Sequence, residues 1–267
     1  MSEDSSVPHP IDPQVRAQIL RTLDRIEQER DVRIVYACES GSRGWGFASP
    51  DSDYDVRLIY VNRLDWYLRV APGRDVIELP ISDIYDVNGR ELRKALGLLR
   101  NGNATLIEWL DSPVVYRSDA VFLQGMREAV RLVHQPERSL YHYLHMAAKN
   151  YRDHLRGEQV RLKKYLYVLR PLLAALWIEA GRGVAPMPFQ QLVADMVKNT
   201  ALREAIDALV VRKRGALESE YASAVPAINH FIERELERLK AVTINVKLPY
   251  FTPLDDLLHH TATGHNT

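Results

Sequence analysis

A glycine-rich turn between two apolar runs constrains this chain more than any other feature. Ile34-Val35-Tyr36-Ala37-Cys38 leads into Glu39-Ser40-Gly41-Ser42-Arg43-Gly44-Trp45-Gly46, and Val56 to Val61 follows Ser49-Pro50-Asp51-Ser52-Asp53-Tyr54-Asp55. β-Branched and aromatic runs bounded by glycine and serine read as strands, here over 32–38 and 54–61. Aspartate is a poor strand former, so two of them leading an apolar strand need a reason beyond folding. Residues i and i+2 of a strand point the same way. Asp53 and Asp55 therefore converge on one face and can share a divalent cation. Mg²⁺ suits them, being a hard ion held by one or two carboxylates plus substrate phosphates. Glycines 41, 44 and 46 permit tight curvature and close approach to a ligand. Ser42 adds a hydroxyl and Arg43 a guanidinium, and a helical turn starting at Arg43 would aim backbone N–H groups at a phosphate. The stretch reads as a phosphate cradle beside a metal platform.

Around it the chain changes character once. Residues 1–12 read as a polar arm with two prolines. Val15, Ile19, Leu20, Leu23 and Ile26 recur at helical spacing over 13–30, and Asp31 ends that helix. Beyond the metal strand come a short helix over 64–70, a strand over 75–81 and a short strand at Ile84-Tyr85-Asp86-Val87 closed by Asn88-Gly89. A helix over 90–100 then stops at Asn101-Gly102-Asn103, and Asn103 caps the next, 104–110. After residue 117 helical patterns take over: 118–132, 138–156, 159–181, 188–198, 200–214 and 219–241. The expected class is α+β, with a small mixed sheet followed by an all-helical part. The expected domains are 13–117, catalytic, 118–241, helical and substrate-binding, and a tail, 242–267. A tail segment from Pro253 to His260 folds back on one of them.

Composition narrows the setting. Lys+Arg and Asp+Glu are both 35, which removes the argument for nucleic-acid binding from a basic chain, though not from a basic face. Such a face has a source. Residues 148–170 carry Lys149, Arg152, Arg156, Arg161, Lys163, Lys164 and Arg170 against only Asp153 and Glu158. Arg212-Lys213-Arg214 reads as surface. The one cysteine, Cys38, rules out a disulfide within the chain, and the acidic start is unlike a signal peptide. A cytoplasmic protein with no membrane partner is expected. His142 and His145 share a helix face but lack a third ligand for zinc.

Gly41-Ser42, about ten residues, then Asp53-Tyr54-Asp55-Val56 is similar to the signature of the DNA polymerase β-like nucleotidyltransferase superfamily. More narrowly, the chain resembles its RNA-repair-pathway polymerase β family. That closer likeness rests on Ser40 to Gly46, Asp86-Val87-Asn88-Gly89, Leu92 to Leu96, Glu108 to Pro113 and Lys164 to Pro171. The resemblance implies nucleotidyl transfer from a nucleoside triphosphate to a hydroxyl, with two Mg²⁺ (or Mn²⁺) ions held by Asp53 and Asp55. It implies a third carboxylate on a neighbouring strand. Asp75, Glu78 and Asp86 are the candidates, and Asp86 fits the superfamily pattern best. It assigns Gly41, Ser42, Arg43 and Ser52 to the nucleotide, and carries Asn150, Lys164 and Tyr167 over as triphosphate or sugar contacts. An RNA end is the acceptor that the family description suggests. Alternatives are nucleotidylation of a protein or small molecule, and a silent nucleotide-binding protein. Arg57 alternates onto the face of the aspartates, to meet a phosphate or to neutralise them. Trp45 is expected to pack under the turn, and Glu108 and Trp109 to brace the cleft.

Overall fold

The structure is a computed structural model, and it describes residues 11–71, 73–81, 84–215, 221–244 and 249–264. Most of the N-terminal arm therefore lies outside the described residues. The chain divides into two compact units. One comprises the described residues of 1–44, 53–134 and 248–267, the other those of 45–52 and 135–247.

In the first unit the order is α1 (Pro13–Arg30), β1 (Val32–Glu39), α2 (Gly41–Trp45), β2 (Tyr54–Asn62), α3 (Leu64–Tyr67), β3 (Val76–Glu78), β4 (Tyr85–Glu91), α4 (Leu92–Arg100), α5 (Ala104–Trp109), β5 (Val115–Ser118) and α6 (Ala120–Val133). The helix α2 starts in this unit and ends in the other. The second unit holds α7 (Pro136–His154), β6 (Gln159–Arg161), α8 (Leu162–Glu179), α9 (Phe189–Met196), α10 (Thr200–Gly215), β7 (Tyr221–Ser223) and α11 (Pro226–Leu239). The tail helix α12 (Thr252–Thr263) returns to the first unit and packs on α6 and α4. The fold is thus α+β, with a small mixed sheet preceding a helical part. No helix among the described residues is long and apolar enough to cross a membrane.

The sheet runs β3-β4-β2-β1-β5. β2 pairs in parallel with β4, and the other neighbours are antiparallel. α1 covers one face. Asp12 caps it by accepting from Gln14 N–H at 2.7 Å, Pro13 opens it, and Asp31 ends it in the left-handed region at φ 50°. Its Ile19, Leu23 and Ile26 pack on Val56, Leu58, Tyr60 and Val87. The opposite face meets α4, whose Leu92, Ala95, Leu96 and Leu99 are buried at helical spacing. On that face the strands also carry the polar residues Asp55, Arg57, Asp86, Asn88 and Arg90, by alternation.

Two expectations are corrected here. Asn88-Gly89 does not close a turn; β4 continues through it to Glu91. Gly89 is a packing glycine. A Cβ there would come within 2.7 Å of Leu58 Cδ1, so glycine lets β4 lie against the core side of β2. The helix then begins at Leu92, with Glu91 as its cap, accepting from Lys94 N–H at 3.2 Å. The second correction is the ribbon β6–β7, which takes the first residues of the pattern over 159–181 and precedes Pro226. Three-residue strands are too short to show alternation.

Leu23 is fully buried beneath the sheet. Leu23→Ala should lower stability by about 3 kcal/mol, read from urea unfolding followed by circular dichroism.

Candidate active site

Parallel pairing of β2 with β4 sets Asp55 directly beside Asp86, and Arg57 beside Asn88. Arg57 lies two residues beyond Asp55 on the same face, so its guanidinium reaches both acids. Nη2 donates to Asp55 Oδ1 at 2.8 Å and to Asp86 Oδ2 at 2.7 Å, while Nη1 donates to the Asp86 carbonyl at 2.9 Å. Of the two roles open to it, Arg57 takes the neutralising one. Asp86 stands opposite Asp55. Glu78 pairs instead with Asn88 and with Arg74, and Asp75 with Lys94.

Burial raises the Asp55 carboxyl above the ordinary aspartate range. Arg57 pulls it back, and the negative charges of Asp86 and Asp53 push it up further. The three acids therefore feel one another. Asp53 is exposed at the mouth of this patch. Among the described residues no three acids, histidines or cysteines are grouped so that they could hold a metal ion by themselves. The donor set is all carboxylate oxygen, which suits a hard divalent ion that keeps waters and takes phosphate oxygens as further ligands.

The glycine turn is fixed to the same aspartate. Gly41 has φ +56°, and a Cβ there would fall 1.9 Å from Asp55 Oδ2. Ser40 N–H donates to the Asp55 carbonyl at 2.8 Å, and Asp55 N–H to Glu39 Oε1 at 2.8 Å. Arg43 is buried. Its Nε donates to the Asp53 carbonyl at 3.2 Å and its guanidinium lies 3.9 Å from the centre of the Tyr54 ring. Ser42 is buried beside it.

Sequence reasoning missed Glu39, which is fully buried behind this turn. Tyr116 Oη donates to its Oε2 at 2.5 Å. Burial pushes its carboxyl up to about 7, against the pull of Tyr116 and the Asp55 N–H. A glutamate closing an apolar strand immediately before Gly41 was the available signal.

In the helical unit lie the remaining residues assigned to the nucleotide. Asn150 Nδ2 donates to the Met146 carbonyl at 2.9 Å on α7. Lys164 Nζ sits 5.6 Å from the Tyr167 ring on α8. The Tyr167 ring packs edge-on against Trp45 at 5.5 Å, and Trp45 also meets Phe47 and the Arg170 guanidinium. Ser52 Oγ accepts from Ser49 N–H at 3.0 Å. Lys213, read as surface, is 1% exposed, and its Nζ donates to Ser49 Oγ at 2.6 Å, while Arg214 donates to the Gly46 carbonyl at 2.8 Å. That pairing joins residues 164 apart, so nothing local announces it.

The sequence profile of the RNA repair pathway DNA polymerase beta family, RlaP, matches residues 15–260. The chain belongs to that family. A Bacillus subtilis (strain 168) relative, described as uncharacterized protein YcgL, is 44% identical over 233 residues, covering 87% of this chain and 90% of the relative. A crystal structure of a nucleotidyltransferase-like protein from Exiguobacterium sibiricum 255-15 aligns with 93% of this chain and 78% of its own, at 12% identity and a TM-score of 0.30.

Two outcomes test this geometry. Gly41→Ala should destabilise by about 2–3 kcal/mol, because the backbone is strained and Asp55 must move; urea unfolding reads it. Glu39 binds protons more readily folded than unfolded, since its pKa rises from 4.5 to about 7. Its contribution to stability therefore falls as pH rises through that window. Glu39→Gln should flatten this fall in a series of unfolding curves across those pH values.

Proposed function

We propose that this protein transfers a nucleoside monophosphate from a nucleoside triphosphate to an acceptor hydroxyl and releases pyrophosphate. The observation that carries this reading is the Asp55–Asp86 pair, held across parallel strands and touching the Gly41 turn. The turn's backbone, Ser42 and Arg43 receive the β and γ phosphates. Asp53 and Asp55, with Asp86, would hold two Mg²⁺ (or Mn²⁺) ions, which supply positive charge to the reacting phosphate and its leaving group.

The chain's own part is placement and charge. Asp86 takes the proton of the acceptor hydroxyl. The acceptor oxygen bonds to the α phosphorus, the bond from that phosphorus to the α–β bridging oxygen breaks, and its electron pair leaves with pyrophosphate. Arg57 keeps the carboxylates of Asp55 and Asp86 side by side. Gly41 lets the phosphate turn approach Asp55, and Glu39 anchors the Asp55 backbone from behind. In the helical unit, Lys164, Tyr167 and Asn150, with Ser52, are assigned to the triphosphate and sugar. The family description favours an RNA end as acceptor.

Asp53 separates chemistry from folding, because it is exposed and its loss leaves the Arg57 bridge intact. Asp53→Asn should lower pyrophosphate release by at least about 100-fold with an unchanged melting temperature. The assay supplies each labelled triphosphate in turn, with RNA, protein or small-molecule acceptors. An Asp53→Ala/Asp55→Ala double variant with full activity would sink the mechanism. Triphosphate binding without pyrophosphate release under every acceptor would assign a silent nucleotide-binding protein instead.

A further inference from the structure

On the polar face of the sheet, a cleft of about 430 Å³ opens beside the outer strands β3 and β4. Its walls come from β3, β4, α4 and the segment that carries α5, all in the sheet unit. The volume is that of a small-ligand site. Asp86, Asn88 and Arg90 alternate along one face of β4, so the cleft begins roughly 13 Å along the strand from Asp86.

The cleft's polar groups are unequally committed. Lys94 is held by both oxygens of Asp75 at 2.9 Å, and Glu78 by Arg74 at 3.1 Å. The Arg90 side chain makes no hydrogen bond or ion pair among the described residues, although it is half-buried at the cleft wall. Trp109 lines the same cleft and is only 5% exposed, yet its buried Nε1–H has no partner. A buried donor without an acceptor is costly, and such groups are normally satisfied. Leu98 and Leu106 give the cleft an apolar side.

The order of the strands sets the direction. The glycine turn follows β1, the paired acids stand on β2 and β4, and the cleft lies beyond β4 towards β3. It is therefore on the side of Asp86 away from the phosphate turn. We propose that this cleft is an acceptor subsite for a phosphorylated, ring-bearing group one nucleotide in size. The phosphate pairs with Arg90, and the ring lies against the apolar side formed by Leu98 and Leu106. The group reaches the cleft either as a free nucleoside monophosphate or as the end of an RNA chain. This assignment rests on the transferase reading, because that reading defines which side of Asp86 is the acceptor's.

The test is calorimetric titration of the full chain, saturated with Mg²⁺ and a non-hydrolysable triphosphate analogue. The probes are AMP and a single-stranded RNA hexanucleotide bearing a terminal phosphate. At least one should bind in the presence of the analogue. Arg90→Gln should weaken that binding about tenfold, as loss of a charge-assisted bond does, and Leu98→Ala should weaken it by removing apolar contact from the wall. Binding of AMP assigns a free nucleotide, and binding of the RNA alone assigns a chain end. Arg90 lies at a half-exposed strand position, so its variant keeps the fold if Leu98→Ala does not. Displacement of both probes by the analogue, indifference to Arg90→Gln, or binding of neither probe would overturn the subsite. Pyrophosphate release, measured in parallel, keeps the two readings apart. Release that persists while the cleft proves empty sinks only the subsite, whereas cleft binding without release under any acceptor sinks the transferase and with it the acceptor role, and leaves the cleft a nucleotide-binding site.

Discussion

The carboxylate of Asp55 occupies the space that any side chain at residue 41 would need. That steric fact links the phosphate turn to the acid platform more tightly than their separation in sequence suggests. It demands glycine, and it demands the positive φ that glycine tolerates. It also places a part-buried acid next to two others, a position tolerable only with compensating charge. Arg57 provides that charge by spanning Asp55 and Asp86, and the parallel pairing of β2 with β4 places both acids within its reach. Beneath them Glu39 accepts the Asp55 N–H and Ser40 donates to the Asp55 carbonyl, so the aspartate's backbone is held from both sides. The adjacency of turn and acids thus follows from one close approach.

The helical unit has its own fixed point. Lys213 is buried with its ammonium on Ser49, and a buried cation without such partners would be strongly destabilising. Trp45, Phe47, Tyr167 and Phe189 pack as a cluster of tilted and edge-on rings, with Arg170 over Trp45. This order involves the segment between the glycine turn and Asp53, which has no helix or strand period in its sequence.

Most of the sheet unit was legible because its signals are local. The helix α1 announces itself through the spacing of Ile19, Leu23 and Ile26, and Asn103 caps α5 as its position suggests. The pairing of Asp55 with Asp86 was legible only through family likeness, because parallel register depends on contacts between distant segments. Asn88-Gly89 misled for a clear reason. The same dipeptide favours a turn in isolation and serves a crowded strand when a neighbour such as Leu58 needs the space. Glu39 and Lys213 escaped because a buried charge reads as surface until its partner is known. Each partner, Tyr116 and Ser49, lies far along the chain.

The two units are compact, yet they are not modular. Residues 45–52 interrupt the sheet unit in sequence and belong to the helical one. A fragment cut at residue 135 would take α7 to α11 away without Trp45, Phe47 and Ser49. It would leave an aromatic cluster half empty and Lys213 stripped of its acceptor. The complementary fragment would carry that apolar segment uncovered. Exchange of helical parts between relatives, or dissection of the chain into pieces, must therefore move the 45–52 segment together with the helices that hold it. A single crossover point for doing so does not exist in this sequence.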